Sequence, residues 1–83
     1  MKRGTLKSSQ FRKEREASWR ELDQLVARME AKSPSVLEPA ELMRLPTLYR
    51  AALSSLSVAR AISLDRSLLG YLENLANRAY FQI

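Results

Sequence analysis

The side chains able to do chemistry in this 83-residue sequence are nine carboxylates, fourteen lysines and arginines, and three tyrosines; histidine and cysteine are both absent. Without imidazole the chain lacks the commonest general base, the commonest transition-metal ligand and the usual pH switch. Without thiols it can build neither a disulfide framework nor a thiolate zinc site. General acid–base work would therefore fall to carboxylates or lysine. Glu14, Glu16, Glu21, Asp23 and Glu30 all lie in one stretch rich in Arg and Lys. Their spacing suits surface ion pairs, such as Glu16 with Arg20 four residues later, better than a catalytic dyad. Two glycines cannot form a phosphate-cradling loop, and no HExxH-type pair or calcium loop is present. The sequence thus points away from catalysis, and no cofactor or small-molecule substrate is expected.

The elements that carry these residues are read from apolar periodicity. Phe11, Trp19, Leu22, Leu25, Val26 and Met29 recur at helical spacing and predict a helix over about 9–32, capped by Ser8 or Ser9, with residues 1–8 as a basic, flexible tail. Pro34 ends that helix and Pro39 suits the first position of the next, with Glu38 as its cap. A second stripe runs through Leu42, Leu45, Leu48, Tyr49, Ala52, Leu53, Leu56, Ala59 and Ile62. Pro46 interrupts it, so the expectation is a short helix over 39–45 and a longer one over 46–61, or one kinked rod. A third stripe, Leu68, Leu69, Leu72, Leu75, Ala76 and Ala79, predicts a helix over 66–82 capped by Ser63 or Asp65. Gly70 in its interior marks a close helix approach. No segment alternates in the β manner. The fold expected is all-α: an antiparallel bundle of three helices, or four if Pro46 splits the second.

Charge is unevenly placed. Residues 1–20 carry seven basic and two acidic side chains, a net +5, and the remainder cancels at seven of each. A basic leading end suits an anionic surface, lipid headgroups or nucleic acid, and Lys2, Arg3, Lys7, Arg12 and Lys13 are its candidate contacts. Nucleic acid is disfavoured, because Arg44, Arg50, Arg60, Arg66 and Arg78 are scattered along the later helices and line no recognition face. No secretory signal is visible. The longest uncharged run, Ala51 to Ala59, is nine residues against the roughly 20 that cross a bilayer. Trp19 reads as core, with Arg15 stacked on its indole; Arg15, Tyr49, Arg50 and Arg78 are candidates for internal ion pairs or partner contacts. Three amphipathic stripes on so short a chain leave apolar surface for self-association, so a homodimer is one expected assembly.

Several of these residues fall in an order that resembles a known family. Phe11, Arg15, Trp19 and Leu22, then Glu41-Leu42, Leu48-Tyr49-Arg50, Ala59-Arg60, and finally Leu72, Asn74-Leu75 and Arg78-Ala79 resemble the amino-terminal region of the stage II sporulation protein M family of bacterial integral membrane proteins. Arg60 and Asn74 join the candidate contacts on that ground. The resemblance implies a helical segment on the cytoplasmic side of the inner membrane, preceding membrane-spanning helices that begin after Ile83. The rising apolar density of Tyr80-Phe81-Gln82-Ile83 agrees with that expectation, as does a basic segment on the cytoplasmic side. It brings no catalytic residues, and Pro46 departs from the family pattern. The function expected is a non-catalytic module that binds a protein partner or itself beside the membrane, with nucleic-acid binding as the alternative.

Overall fold

The computed structural model describes residues 2–62 and 66–82, with side chains from Ser9 onward apart from Pro34. Three α-helices pack against one another: α1 (Lys2–Ala31), α2 (Pro39–Ala61) and α3 (Arg66–Gln82). A 3-10 turn over Pro34–Val36 joins the first two and packs on α1. No strand occurs among the described residues. The all-α three-helix bundle expected from the apolar periodicity is the fold observed.

Each stripe read from the sequence lines the same core. Phe11, Trp19, Leu22, Leu25, Val26 and Met29 of α1 meet Leu45, Leu48, Ala52, Leu56 and Ala59 of α2 and Leu68, Leu72, Leu75 and Ala79 of α3. Leu37, in the connection, is buried as well and closes the end of the bundle beside α1. Full burial of each large apolar side chain stabilises the fold by about 1.5–3 kcal/mol. Local signals set the helix starts. Glu38 is the N-cap of α2 with Pro39 at its first position, and the Glu38 backbone N–H donates to the Glu41 carboxylate at 2.9 Å.

Four expectations are corrected. First, residues 2–8 are not a tail: α1 begins at Lys2, so neither Ser8 nor Ser9 caps it, and it ends at Ala31. Lys, Arg, Leu and Gln favour helix and no proline intervenes, which outweighs the penalties of Gly4, Thr5, Ser8 and Ser9. Second, Pro46 does not divide α2, which runs unbroken from Pro39 to Ala61. Pro46 faces solvent while Leu45 and Leu48 on either side of it are buried. Burying both leucines outweighs the penalty of about 3 kcal/mol for an internal proline. Third, Gly70 marks no close approach: a Cβ there would meet nothing within 4 Å. Fourth, Arg15 does not stack on the Trp19 indole. Its guanidinium lies 4.7 Å from the centre of the Phe11 ring. Helical side chains lean toward the helix N-terminus, which brings Arg15 over the residue one turn before it rather than one turn after. The caps expected at Ser63 or Asp65 lie outside the described residues.

Candidate interaction surfaces

The ionisable groups sort by partner into three arrangements. The first ties α1 to α3. Asp23 and Glu30, seven residues apart on α1, face Tyr71 and Arg78, seven apart on α3. Arg78 grips Glu30 through Nε at 3.0 Å and Nη2 at 2.9 Å, and donates through Nη1 to Asp23 at 3.0 Å. Tyr71 donates its hydroxyl proton to Asp23 at 3.2 Å. Seven residues are two helical turns, so this paired spacing locks the register of two parallel helices. The hydrogen bonds from Arg78 hold Glu30 below the usual carboxylate range. Burial, with the charge of Asp23 behind it, raises the Tyr71 phenol above 10.0.

The second arrangement ties α1 to α2. Arg28 Nη1 donates to Glu41 at 2.6 Å, and Arg44 grips Glu21 through both Nε and Nη2. Glu21 is lowered by its hydrogen bonds from Arg44, and Glu41 by those from Arg28 and then from the Glu38 backbone. Arg60 Nη2 joins α2 to α3 through Glu73 at 2.9 Å. The expected Arg20–Glu16 pair forms at 3.2 Å on the surface of α1. Carboxylates held this way are engaged in cross-helix pairing and are poorly matched to proton transfer at neutral pH.

These pairs fix the sign of the pH response. A carboxylate lowered in the folded state contributes stability above 4.5, lost as pH falls through its folded value. A phenol raised in the folded state contributes stability below 10.0, lost as pH rises toward its folded value. With no histidine and no cysteine, only the chain's α-amino group titrates in between. Urea midpoints are therefore expected to be flat from about pH 5 to about pH 9 and to fall on both sides. A midpoint that moved strongly between pH 6 and pH 8 would contradict this account.

The third arrangement is a groove of mixed polarity. Tyr49 and Leu53 of α2 line an open groove with Asn77 and Tyr80 of α3, and the Arg60–Glu73 pair forms part of its lining. Tyr80 is 66% exposed and Phe81 80% exposed, and their rings touch edge to face at 5.9 Å. Leu42 and Pro46, seven and three residues before Tyr49, extend this face along α2 and are exposed too. Single exposed apolar residues are ordinary; here Tyr49, Leu53 and Tyr80 share one groove and Phe81 joins it only through its ring contact with Tyr80.

The residues singled out in the sequence divide accordingly. Trp19 is core: it is 1% exposed and its indole N–H donates to the buried Ser55 hydroxyl at 3.0 Å. Arg78 is an internal ion-pair residue and Arg60 a cross-helix one. Tyr49 is half-buried against the core at the edge of the groove. Arg50 and Asn74 are exposed, and their side chains have no partner among the described residues. Arg12 and Lys13 are exposed on α1, while Lys2, Arg3 and Lys7 lie on its first two turns. Sequence reading missed Leu53, Tyr80 and Phe81 as surface residues. Leu53 fits the α2 stripe, and only the placement of α3 shows which side of that stripe is left open.

Residues 9–83 match the family model described as Domain of unknown function (DUF8413). No curated protein and no solved structure matches the chain. The match begins at Ser9 and spans every described side chain of the core.

Proposed function

This chain belongs to the DUF8413 family, and we propose that it is a non-catalytic docking module that acts through the α2–α3 face, pairing with a second copy or with a helical protein partner. The observation that carries the reading is the set Leu42, Pro46, Tyr49, Leu53, Tyr80 and Phe81, left open on a bundle in which Glu21, Asp23, Glu30, Glu41 and Glu73 are drawn into cross-helix ion pairs. Exposed aromatic residues beside a half-buried tyrosine are the anchors such contacts use. Residues 21–83 carry balanced charge, so the approach of two copies through this face is not opposed by the basic leading end.

The resemblance to the stage II sporulation protein M family supports placing the module on the cytoplasmic side of a bacterial inner membrane, within an integral membrane protein. Most of the residues behind that resemblance are scaffold here. Phe11, Trp19, Leu22, Leu48, Ala59, Leu72, Leu75 and Ala79 are buried and Arg78 is held between Asp23 and Glu30, so what the resemblance supports is a common bundle rather than a common site. No helix among the described residues is long and apolar enough to cross a membrane.

Sedimentation equilibrium tests the reading. The wild-type domain is expected to self-associate as concentration rises, and Tyr80→Glu/Phe81→Glu, which places two charges on the face without touching the core, is expected to remain monomeric with an unchanged helical spectrum. A wild-type domain that stays monomeric at high concentration argues against self-pairing. Association that persists in the double variant rules out this face.

A further inference from the structure

We propose that the end of the bundle built from the amino-terminal part of α1 and the first turn of α3 is a docking surface for an anionic lipid bilayer. The inference builds on the domain being a docking module but uses a surface separate from the α2–α3 face. It is an alternative to the arrangement in which membrane-spanning helices follow Ile83, because the parallel course of α1 and α3 puts the last turn of α3 at the opposite end of the bundle.

The distribution of ion pairs carries it. From Glu21 onward, Arg28, Arg44, Arg60 and Arg78 each hold a carboxylate, while the exposed Lys32 and Arg50 stand singly without one among the described residues. At the start of α1 the exposed Arg12 and Lys13 have no carboxylate partner among the described residues, and Arg15 is engaged only with the Phe11 ring. Of the acidic residues nearby, Glu16 is already paired with Arg20 and Glu14 accepts a hydrogen bond from Gln10. Folding adds a fourth cation. α3 runs parallel to α1, as the Asp23–Tyr71 and Glu30–Arg78 contacts require, so its first residue, the exposed Arg66, comes to the same end. Arg12 and Ser67 line one groove there. Glu14 carries a charge that the neutral Gln10 amide does not cancel, so the fold gathers a net but partly offset positive charge from two helices that are about fifty residues apart in sequence.

Shape adds to charge. α1 has 30 residues and α2 has 23, a difference of about 10 Å of helix. Its first buried side chain among those described is Phe11, and Lys2, Arg3 and Lys7 precede it on the same helix. At 100° per residue, positions 12, 13 and 15 span an arc of about 160°, so their charges share one side of α1. A flat anionic surface that lies along this part of α1, rather than across its tip, comes within one Debye length, about 10 Å, of Arg12 and Lys13 together. Nucleic acid fits less well. Both aromatic rings of α1, Phe11 and Trp19, are buried and unavailable to stack on bases, and no row of base-reading side chains shares one face.

Co-sedimentation with vesicles tests the proposal on the whole chain. Binding is expected to vesicles of phosphatidylcholine containing about one-third phosphatidylglycerol, to be absent with phosphatidylcholine alone, and to fall steeply with salt. Arg12→Gln/Lys13→Gln is expected to lower the partition coefficient about twentyfold, roughly fivefold for each cation. Lys32→Gln/Arg50→Gln removes the same net charge from exposed cations elsewhere and is expected to change it less than about twofold. Tyr80→Glu/Phe81→Glu is expected to bind about as well as Arg12 and Lys13 allow in the wild type, which separates failure of this surface from failure of the apolar one. Equal losses in the two glutamine variants, equal binding to both kinds of vesicle, or tight binding to mixed duplex DNA with none to vesicles would each overturn the proposal.

Discussion

Trp19→Ala is expected to leave the domain at the edge of unfolding under ambient conditions. Trp19 is the largest fully buried side chain, it contacts the Phe11 ring at 5.7 Å and the Tyr71 ring at 6.3 Å, and its N–H is bound to Ser55. Truncating a buried tryptophan costs about 3–5 kcal/mol. A domain of this size has about 4–12 kcal/mol in total, so the loss is a large share of the whole. Two further variants separate packing from polarity. Ser55→Ala leaves the indole N–H buried without an acceptor and is expected to cost about 1–3 kcal/mol. Trp19→Phe/Ser55→Ala, which removes both polar partners, is expected to cost less than the sum of its single changes. Urea unfolding followed by circular dichroism reads all three. A midpoint for Trp19→Ala within about 1 kcal/mol of wild type would show that α1, α2 and α3 do not converge on this residue.

Pro46→Ala is expected to act in the opposite direction, stabilising the domain by about 1–3 kcal/mol. Pro46 sits in the eighth position of α2 and has no N–H to give the Leu42 carbonyl four residues earlier. Both residues are exposed, so alanine restores a helical hydrogen bond and removes a ring clash without disturbing the core. Part of the gain is offset because proline also restricts the unfolded chain. Each kcal/mol raises Tm by about 4–8 °C for a domain of this length, which thermal unfolding resolves easily. A neutral or lowered Tm would mean that Pro46 is accommodated by a geometry that alanine cannot reproduce.

The residues expected to hold the fold together behaved differently from those expected to make contacts. Trp19, Leu22, Leu72 and Leu75 were legible as core because the 3.6-residue repeat of a helix leaves few other ways to bury them. The α2 start at Glu38 and Pro39 was legible because capping is decided within four residues. Arg78 was recognised as a candidate for an internal ion pair, but its partners were not, because Asp23 and Glu30 lie about fifty positions away and any of several carboxylates could have reached it. Arg15 was placed on the wrong ring for a local reason, the lean of helical side chains toward the N-terminus, which overrides sequence spacing read symmetrically.

By itself the sequence determined the all-α class, the three apolar stripes, the lack of imidazole and thiol chemistry, and the concentration of positive charge in the first twenty residues. These are properties of composition and short-range periodicity, and they hold whatever the helices pack against. The tertiary structure decided whether Pro46 breaks α2, which carboxylate each arginine holds, and which apolar residues remain outside. Those outcomes depend on the relative placement of helices distant in sequence, where the gain from burying Leu45 and Leu48 is set against a local helix penalty. Tyr80 and Phe81 belong with them: their exposure follows from where α3 lies beside α2, since burial is a property of neighbours and not of residue type.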